Sequence, residues 1–250
     1  MPKVKSAERT FRLLELIANK RDGLSFSDMQ STLDIPRSSA HSLIQEFLDN
    51  DYLLYNSANK KYYAGVALIK MAANCIESTD LIQELNLLTQ HLSQRLGKTS
   101  HAAILDGVNV VYLSKAQAKD DLSLMRNIGI HLPAHCTSVG KVLLSQYPDE
   151  VIARLYGNKP LEKMTVNSIG SLAVLLRDVQ QARDDGYAIE QREANERAAC
   201  IGMPIEQNGK TIAAFSITFL AYEWENLDVE QVLTVMRQGR TMIEQRLIRL

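Results

Sequence analysis

No stretch of this chain approaches the roughly 18 consecutive apolar residues that a membrane-spanning helix requires. The opening residues, MPKVKSAERT, also lack the apolar core of a secretory signal, so the chain is expected to stay in the cytoplasm. Cysteine is scarce: Cys75, Cys136 and Cys200 are an odd number at no metal-ligand spacing, which excludes a disulfide framework and a zinc site. A dominant charge is missing as well. With 28 Lys/Arg against 29 Asp/Glu the formal net charge is -1, which argues against wholesale binding of nucleic acid. What is present is 46% hydrophobic and 23% charged residues over 250 positions. That is the balance of a soluble globular chain, long enough for two domains of ordinary size.

Position along the chain says more than the totals. Residues 1–65 hold nine Lys/Arg and eight Asp/Glu, with the basic residues at the start, at Arg37 and at Lys60–Lys61. Three short helices are read here. The first, near 6–18, places Phe11, Leu14, Ile17 and Ala18 on one face. In LSFSDMQSTLDI, Ser25 is an N-cap with Asp28 at the reciprocal capping position, and Phe26, Met29 and Leu33 turn inward. In DIPRSSAHSLIQEFL, Pro36 suits the first helical position, and Ala40, Leu43, Ile44, Phe47 and Leu48 make the apolar stripe. The opposite face carries Arg37, Ser38, Ser39, His41, Ser42 and Gln45. Two helices joined by a short turn, the second polar at its start, form the layout of a helix-turn-helix that reads a major groove. YLLYNSANKKYYAG then reads as a hairpin wing that lays Lys60 and Lys61 beside phosphates.

On these residues the chain resembles the IclR-type bacterial transcription regulators. VKSAERTFRLLELI, SFSDMQSTLDIPRSSAHSLIQEFLDNDYL and KYYAGVALIKMA carry the likeness. Ser42 stands where that family places a basic residue, a departure that bears on one phosphate or base contact. The expected DNA face comprises Ser25, Arg37, Ser38, Ser39, His41, Ser42, Gln45, Lys60 and Lys61.

Residues 66–78 read as a linker helix with a stripe of Val66, Ile69, Ala73 and Ile76, whose exposed side is the candidate for supplying a dimer. Asp80 and Gln83 suit the cap of a further helix, whose leucines at 81, 85, 88, 92 and 96 approach a heptad that covers a sheet or forms a dimer seam. From 98 onward strands alternate with helices. Hairpins are expected at Asp106-Gly107 and Asn208-Gly209, with another strand at 121–129 and one in GYAIEQ. Helices are expected near 138–146, 149–157, 170–185 and 228–249. The fold class is therefore α+β: a winged helix-turn-helix over 1–65, a linker helix over 66–78, and a domain over 79–250 built on about six antiparallel strands.

LPAHCTSVGKVLLS, residues 132–145, crowds histidine, cysteine, hydroxyls and a Gly-Lys pair together. A P-loop would need glycine where His135 stands and Ser or Thr where Val142 stands, so that reading fails twice. Cys136 or Ser138 as a nucleophile needs a base and an orienting residue, and adjacency to His135 supplies neither. A metal cluster of His101, His131 and His135 has no spacing to fix its geometry. The surviving reading is a helix start capped by Thr137 or Ser138, with Gly140 allowing close approach and free N–H groups attracting an anion.

The resemblance extends over the second domain through LPAHCTSVGKVLL, GYAIEQREANERAACIGMPI and AAFSIT, which look like the IclR effector-binding domain, a GAF-like fold. It implies an effector pocket lined by Ser138, Val139, Glu190, Cys200, Ser216 and Thr218, with Glu193 structural. Ser216 and Thr218 share one face of a strand. A lone Glu190 repels a plain dicarboxylate, so a hydroxy or sugar acid suits the pocket better. The implied partners are double-stranded operator DNA, a small organic-acid effector and a second or fourth copy of the chain, with no cofactor and no metal. The implied function is a regulator, a repressor by resemblance. The rival readings are a cysteine-dependent hydrolase or transferase and a thiol redox sensor using Cys136 or Cys200.

Overall fold

The computed structural model describes residues 4–77, 79–118, 128–157 and 160–248. It divides into two compact units, Met1–Ser78 and Thr79–Leu250.

In the first unit, α1 (Lys5–Asn19), α2 (Phe26–Leu33) and α3 (Arg37–Asp49) enclose Leu13, Ile17, Leu24, Met29, Leu33, Ala40, Ile44 and Phe47. Ser25 and Asp28 form the complete capping box at the head of α2. Pro36 is the N-cap of α3 rather than its first helical residue, with extended backbone (φ -55, ψ 146). The inward face of α1 is set by Leu13 and Ile17 with Leu14 beside them, whereas Phe11 is 63% exposed and Ala18 is exposed. The i, i+4 pair Leu13–Ile17 points at the core, and the stripe read through Phe11 is rotated off it. β1 (Leu53–Asn56) and β2 (Lys61–Ala64) pair antiparallel as the wing, and Tyr62 exchanges backbone hydrogen bonds with Leu24, tying the wing to the entrance of α2. α4 (Val66–Glu77) follows. Its Leu68 packs on the core of this unit, while Val66 and Ile69 are 47% and 66% exposed.

The second unit is a six-stranded antiparallel sheet with helices on both faces. The strands are β3 (Thr99–Asp106), β4 (Asn109–Ala116), β5 (His131–Pro133), β6 (Ala188–Gln191), β7 (Ala198–Gln207) and β8 (Lys210–Leu220), in spatial order β5-β4-β3-β8-β7-β6. The hairpins at Asp106-Gly107 and Asn208-Gly209 are both present. Asn208 and Gly209 have φ of 52 and 73, the double positive of a type I′ turn. Of the strand expected at 121–129, residues 121–127 lie outside the described residues; the edge strand observed is His131–Pro133, paired with β4.

One sheet face is covered by α5 (Asp80–Leu96) and α9 (Val229–Leu247), packing Leu85, Leu88, Leu92, Met236 and Ile243 on Ile201, Phe215 and Ile217. The near-heptad leucines therefore cover the sheet. Asp80 is the first helical residue of α5 and not its cap, which is Thr79. The other face is covered by α6 (Ser138–Leu144), α7 (Asp149–Tyr156) and α8 (Leu172–Asp185), with Val139, Val142, Leu143, Ile152, Leu175 and Val179 in the core. Each leucine-sized side chain so buried contributes about 1.5–3 kcal/mol.

Candidate functional site

Period-two alternation decides what the sheet offers to α6. In β8, Phe215, Ile217 and Phe219 face α5 and α9, so Ala214, Ser216 and Thr218 face the other way. The strand register then lines up Thr99, Thr218, Cys200 and Glu190 across four strands. The neighbouring row is His101, Ser216, Gly202 and Ala188. α6 begins directly over the second row: a Cβ on Gly202 would stand 2.7 Å from the carbonyl carbon of Ser138. Glycine here lets the helix start settle onto the sheet.

Between that helix start and the two rows lies a small cavity of about 20 Å³ that is partly open to solvent. Ser138, Glu190, Cys200, Ser216 and Thr218 line it, together with His101, Tyr112, Thr137 and Asn195. Val139 is not in the lining and sits in the apolar core. One of these hydroxyls is engaged within the site: Thr218 Oγ1 is 3.4 Å from Cys200 Sγ and 3.4 Å from His101 Nδ1. Tyr112 and Asn195 were invisible to strand-by-strand reading. One reaches the site from β4 across the sheet, the other from the loop after β6, and only the pairing register brings them in.

Glu190 is the charged group of this cavity, 2% exposed. Its Oε1 accepts from the backbone N–H of Glu193 at 2.6 Å and of Ala194 at 3.1 Å. Burial pushes its carboxyl above the ordinary range, and those two N–H donors with Cys200 only partly oppose it. Behind it, Lys141 donates to Asp178 at 2.7 Å and to Glu193 at 2.6 Å. Thus the Gly-Lys pair of the sequence is a structural anchor, and Glu193 has the structural role expected of it. Burial lowers the Lys141 pKa, but Glu193 and Asp178 outweigh that and hold it above the ordinary lysine value.

The chemistry of LPAHCTSVGKVLLS is now explicit. Residues Ala134–Cys136 form a 3-10 turn and Thr137 is the N-cap of α6, accepting from Gly140 N–H at 3.0 Å. Gly140 makes room for the carbonyl of Ala134, which a Cβ would meet at 2.1 Å, and not for a ligand. α6 has seven residues, so its dipole is short and the anion reading of its start loses weight to the side chains around it. His135 Nε2 contacts the Glu162 carbonyl at 2.8 Å, and burial lowers the imidazole pKa. Burial likewise pushes the Cys136 thiol up, the opposite of an activated nucleophile. Among the described residues no group of three potential metal ligands comes together.

The first unit presents a second surface. Arg37, Ser38, His41, Ser42 and Gln45 are exposed along α3, and Ser39 is half-buried. Ser42 Oγ donates to the Ser38 carbonyl at 3.1 Å, and Gln45 Nε2 donates to Asp49 at 2.8 Å. Those two are engaged within their own helix. Ser25 Oγ accepts the cap bond from Asp28 N–H and keeps its own proton to donate. Lys61 Nζ donates to the Asp22 carbonyl at 2.9 Å, while Lys60 is exposed at the wing tip with a left-handed φ of 57. The Arg37 guanidinium lies 5.6 Å above the Phe26 ring centroid.

A helix-turn-helix with a wing, followed by this curled six-stranded domain, matches two family models in the same order. Residues 6–57 match the IclR helix-turn-helix domain and residues 73–243 match the bacterial transcriptional regulator IclR C-terminal domain. The chain belongs to the IclR family of bacterial transcriptional regulators. It is 27% identical over 240 residues to the transcriptional regulator XynR of Escherichia coli, covering 96% of this chain and 95% of that one. To the transcriptional repressor AllR of Salmonella paratyphi A it is 26% identical over 212 residues, 84% of this chain and 78% of AllR. An IclR homolog from Microbacterium hydrocarbonoxydans, solved in complex with 4-hydroxybenzoate, has the same fold, with a TM-score of 0.83 at 23% identity over 96% of this chain and 98% of that one. These IclR relatives are regulators and not enzymes, which sets aside the hydrolase reading. No helix among the described residues is long and apolar enough to cross a membrane.

Proposed function

We propose that this IclR-family chain is a cytoplasmic repressor of a catabolic operon. It binds a pseudo-palindromic operator as a homodimer or a dimer of dimers, and a small hydroxy acid or sugar acid in the C-terminal cavity modulates that binding. Residues 1–65 dock on DNA, 66–78 link, and 79–250 hold the effector. The DNA face is Arg37, Ser38, Ser39, His41, Ser42 and Gln45 on α3, with Ser25 at the head of α2 and Lys60 and Lys61 on the wing. The effector contacts are Ser138, Glu190, Cys200, Ser216 and Thr218.

The observation that carries the reading is the cavity itself. Residues drawn from α6, β6, β7 and β8 converge on one buried, hydroxyl-rich space. Its single carboxylate, Glu190, already accepts two backbone N–H groups. A ligand hydroxyl can donate to Glu190, whereas a second carboxylate is repelled by it unless Glu190 is protonated. The Microbacterium homolog was solved with 4-hydroxybenzoate, an acid that carries such a hydroxyl. AllR's designation as a repressor favours that sign of control.

The test is selection of genomic fragments by the purified protein at near-physiological salt, with Arg37→Ala alongside. Enrichment of one or a few promoters is expected, with affinity about tenfold lower in the variant, the scale of one good base or phosphate contact. Enrichment indifferent to Arg37 would remove α3 from the groove.

A further inference from the structure

Phe26 opens α2, and its ring packs only partly on the core of the first unit. The rest of the ring lies beneath the head of α3. The Arg37 guanidinium carbon is 5.6 Å from the ring centroid, inside the roughly 6 Å range of a cation–π contact. His41, one turn further along the same face of α3, brings its ring to 6.5 Å from the same centroid at an interplanar angle of 50°. Phe26 is itself held, because Ser25 and Asp28 fix the first turn of α2 from both sides of the cap. Among the described residues the Arg37 side chain makes no ion pair or hydrogen bond, so the ring is what restrains it.

We propose that Phe26 is a positioning residue for DNA recognition, holding the Arg37 guanidinium at the head of α3 so that Arg37 reads a guanine in each half-site. The inference rests on the groove placement of α3 proposed above. A two-pronged contact to guanine O6 and N7 uses the planar fork of arginine and requires a narrow set of side-chain rotamers. An unrestrained arginine must give up its freedom when DNA arrives. The Phe26 ring removes part of that freedom beforehand, and preorganisation of this kind raises affinity for the matched base without adding a contact to DNA. A leucine at 26 would fill the same core space but would offer no aromatic face.

Full-length wild type, Phe26→Leu, Phe26→Tyr and Arg37→Ala are each used to select binding sites from random duplexes at one near-physiological salt concentration, with thermal unfolding and the salt dependence of binding measured in parallel. Arg37→Ala is expected to erase the preference for one base pair in each half-site. Phe26→Leu is expected to weaken the preference at that same pair by about threefold to tenfold, the scale of a cation–π contact and its lost restraint. Other positions and the salt dependence stay at wild type, and Phe26→Tyr restores the preference. Phe26→Met, apolar but without a ring, repeats the measurement should Phe26→Leu unfold. A wild-type preference at that pair in both ring-free variants overturns the role of Phe26, and so does an even loss across all sequences. If Arg37→Ala leaves every preference intact, or the wild type selects no sequence, the groove placement of α3 falls and the role of Phe26 falls with it. If Arg37→Ala erases the preference and the ring-free variants do not weaken it, only the role of Phe26 is lost.

Discussion

Lys141 is 1% exposed and donates to two carboxylates, with Glu190 a third acid close behind Glu193. One buried cation among three acids leaves the cluster with excess negative charge, and among the described residues Glu193 Oε2 has no hydrogen-bond partner. Burial first, with Glu190 and Asp178 adding to it, pushes the Glu193 carboxyl up to about 7 against the attraction of Lys141. The folded chain then retains a proton that the unfolded chain releases near 4.5. The stability this adds is full below about 4.5 and is lost as pH rises towards 7. His135 works in the other direction, because burial lowers its pKa and folding gains as pH rises through 6.5. Comparing wild type with Glu193→Gln separates the two. Urea unfolding at pH 5 and pH 7.5 should show the variant gaining on the wild type as pH rises; a constant difference would refute a proton held at Glu193. Sequence alone named Glu193 and the Gly-Lys pair but could not join them, since residues 52 positions apart meet only when α6 packs under the loop after β6.

At the scale of elements, α6 and β7 share one close approach, and it sits at Gly202 rather than at the glycine the sequence brings to notice. Gly202→Ala would press a Cβ to within 2.7 Å of the Ser138 backbone, where nothing can rotate aside. The helix start must lift, which costs about 1–3 kcal/mol, typical of overpacking. Thermal unfolding should show this loss with the N-terminal unit unaffected; an unchanged transition would mean that α6 does not seat on β7. The same scale explains why caps and hairpins were legible. Ser25–Asp28, Asp106-Gly107 and Asn208-Gly209 act over three or four residues, so local chemistry settles them. The α5 leucines were ambiguous because a near-heptad stripe suits either a sheet or a second helix, and only the apolar face of β7 and β8 resolves the choice.

For the whole molecule, regulation requires the effector to bind unequally to two arrangements of the chain, since equal affinity shifts nothing. Ser216→Ala combined with Thr218→Val removes the two hydroxyls that β8 aims into the cavity while keeping the strand and its far face. Operator affinity without effector should stay at the wild-type value. Release by the active member of a panel of small hydroxy and sugar acids should need a concentration at least tenfold higher, the scale of two lost hydrogen bonds to ligand. A wild-type response would move the effector elsewhere.

The sequence by itself determined the elements whose chemistry is local: the caps at Ser25 and Thr137, the hairpin turns, the apolar faces of most helices and the alternation of β8. Its resemblance to the family also named Ser138, Glu190, Cys200, Ser216 and Thr218, five of the residues that line the cavity. The tertiary structure decided everything that depends on register and packing. It brought in Tyr112 and Asn195, moved Val139 into the core, turned Phe11 outward, and set Phe26 beneath Arg37. The reason is physical. Periodicity tells which side of an element is apolar, but which residue on that side meets which partner depends on strand pairing and helix docking between distant parts of the chain.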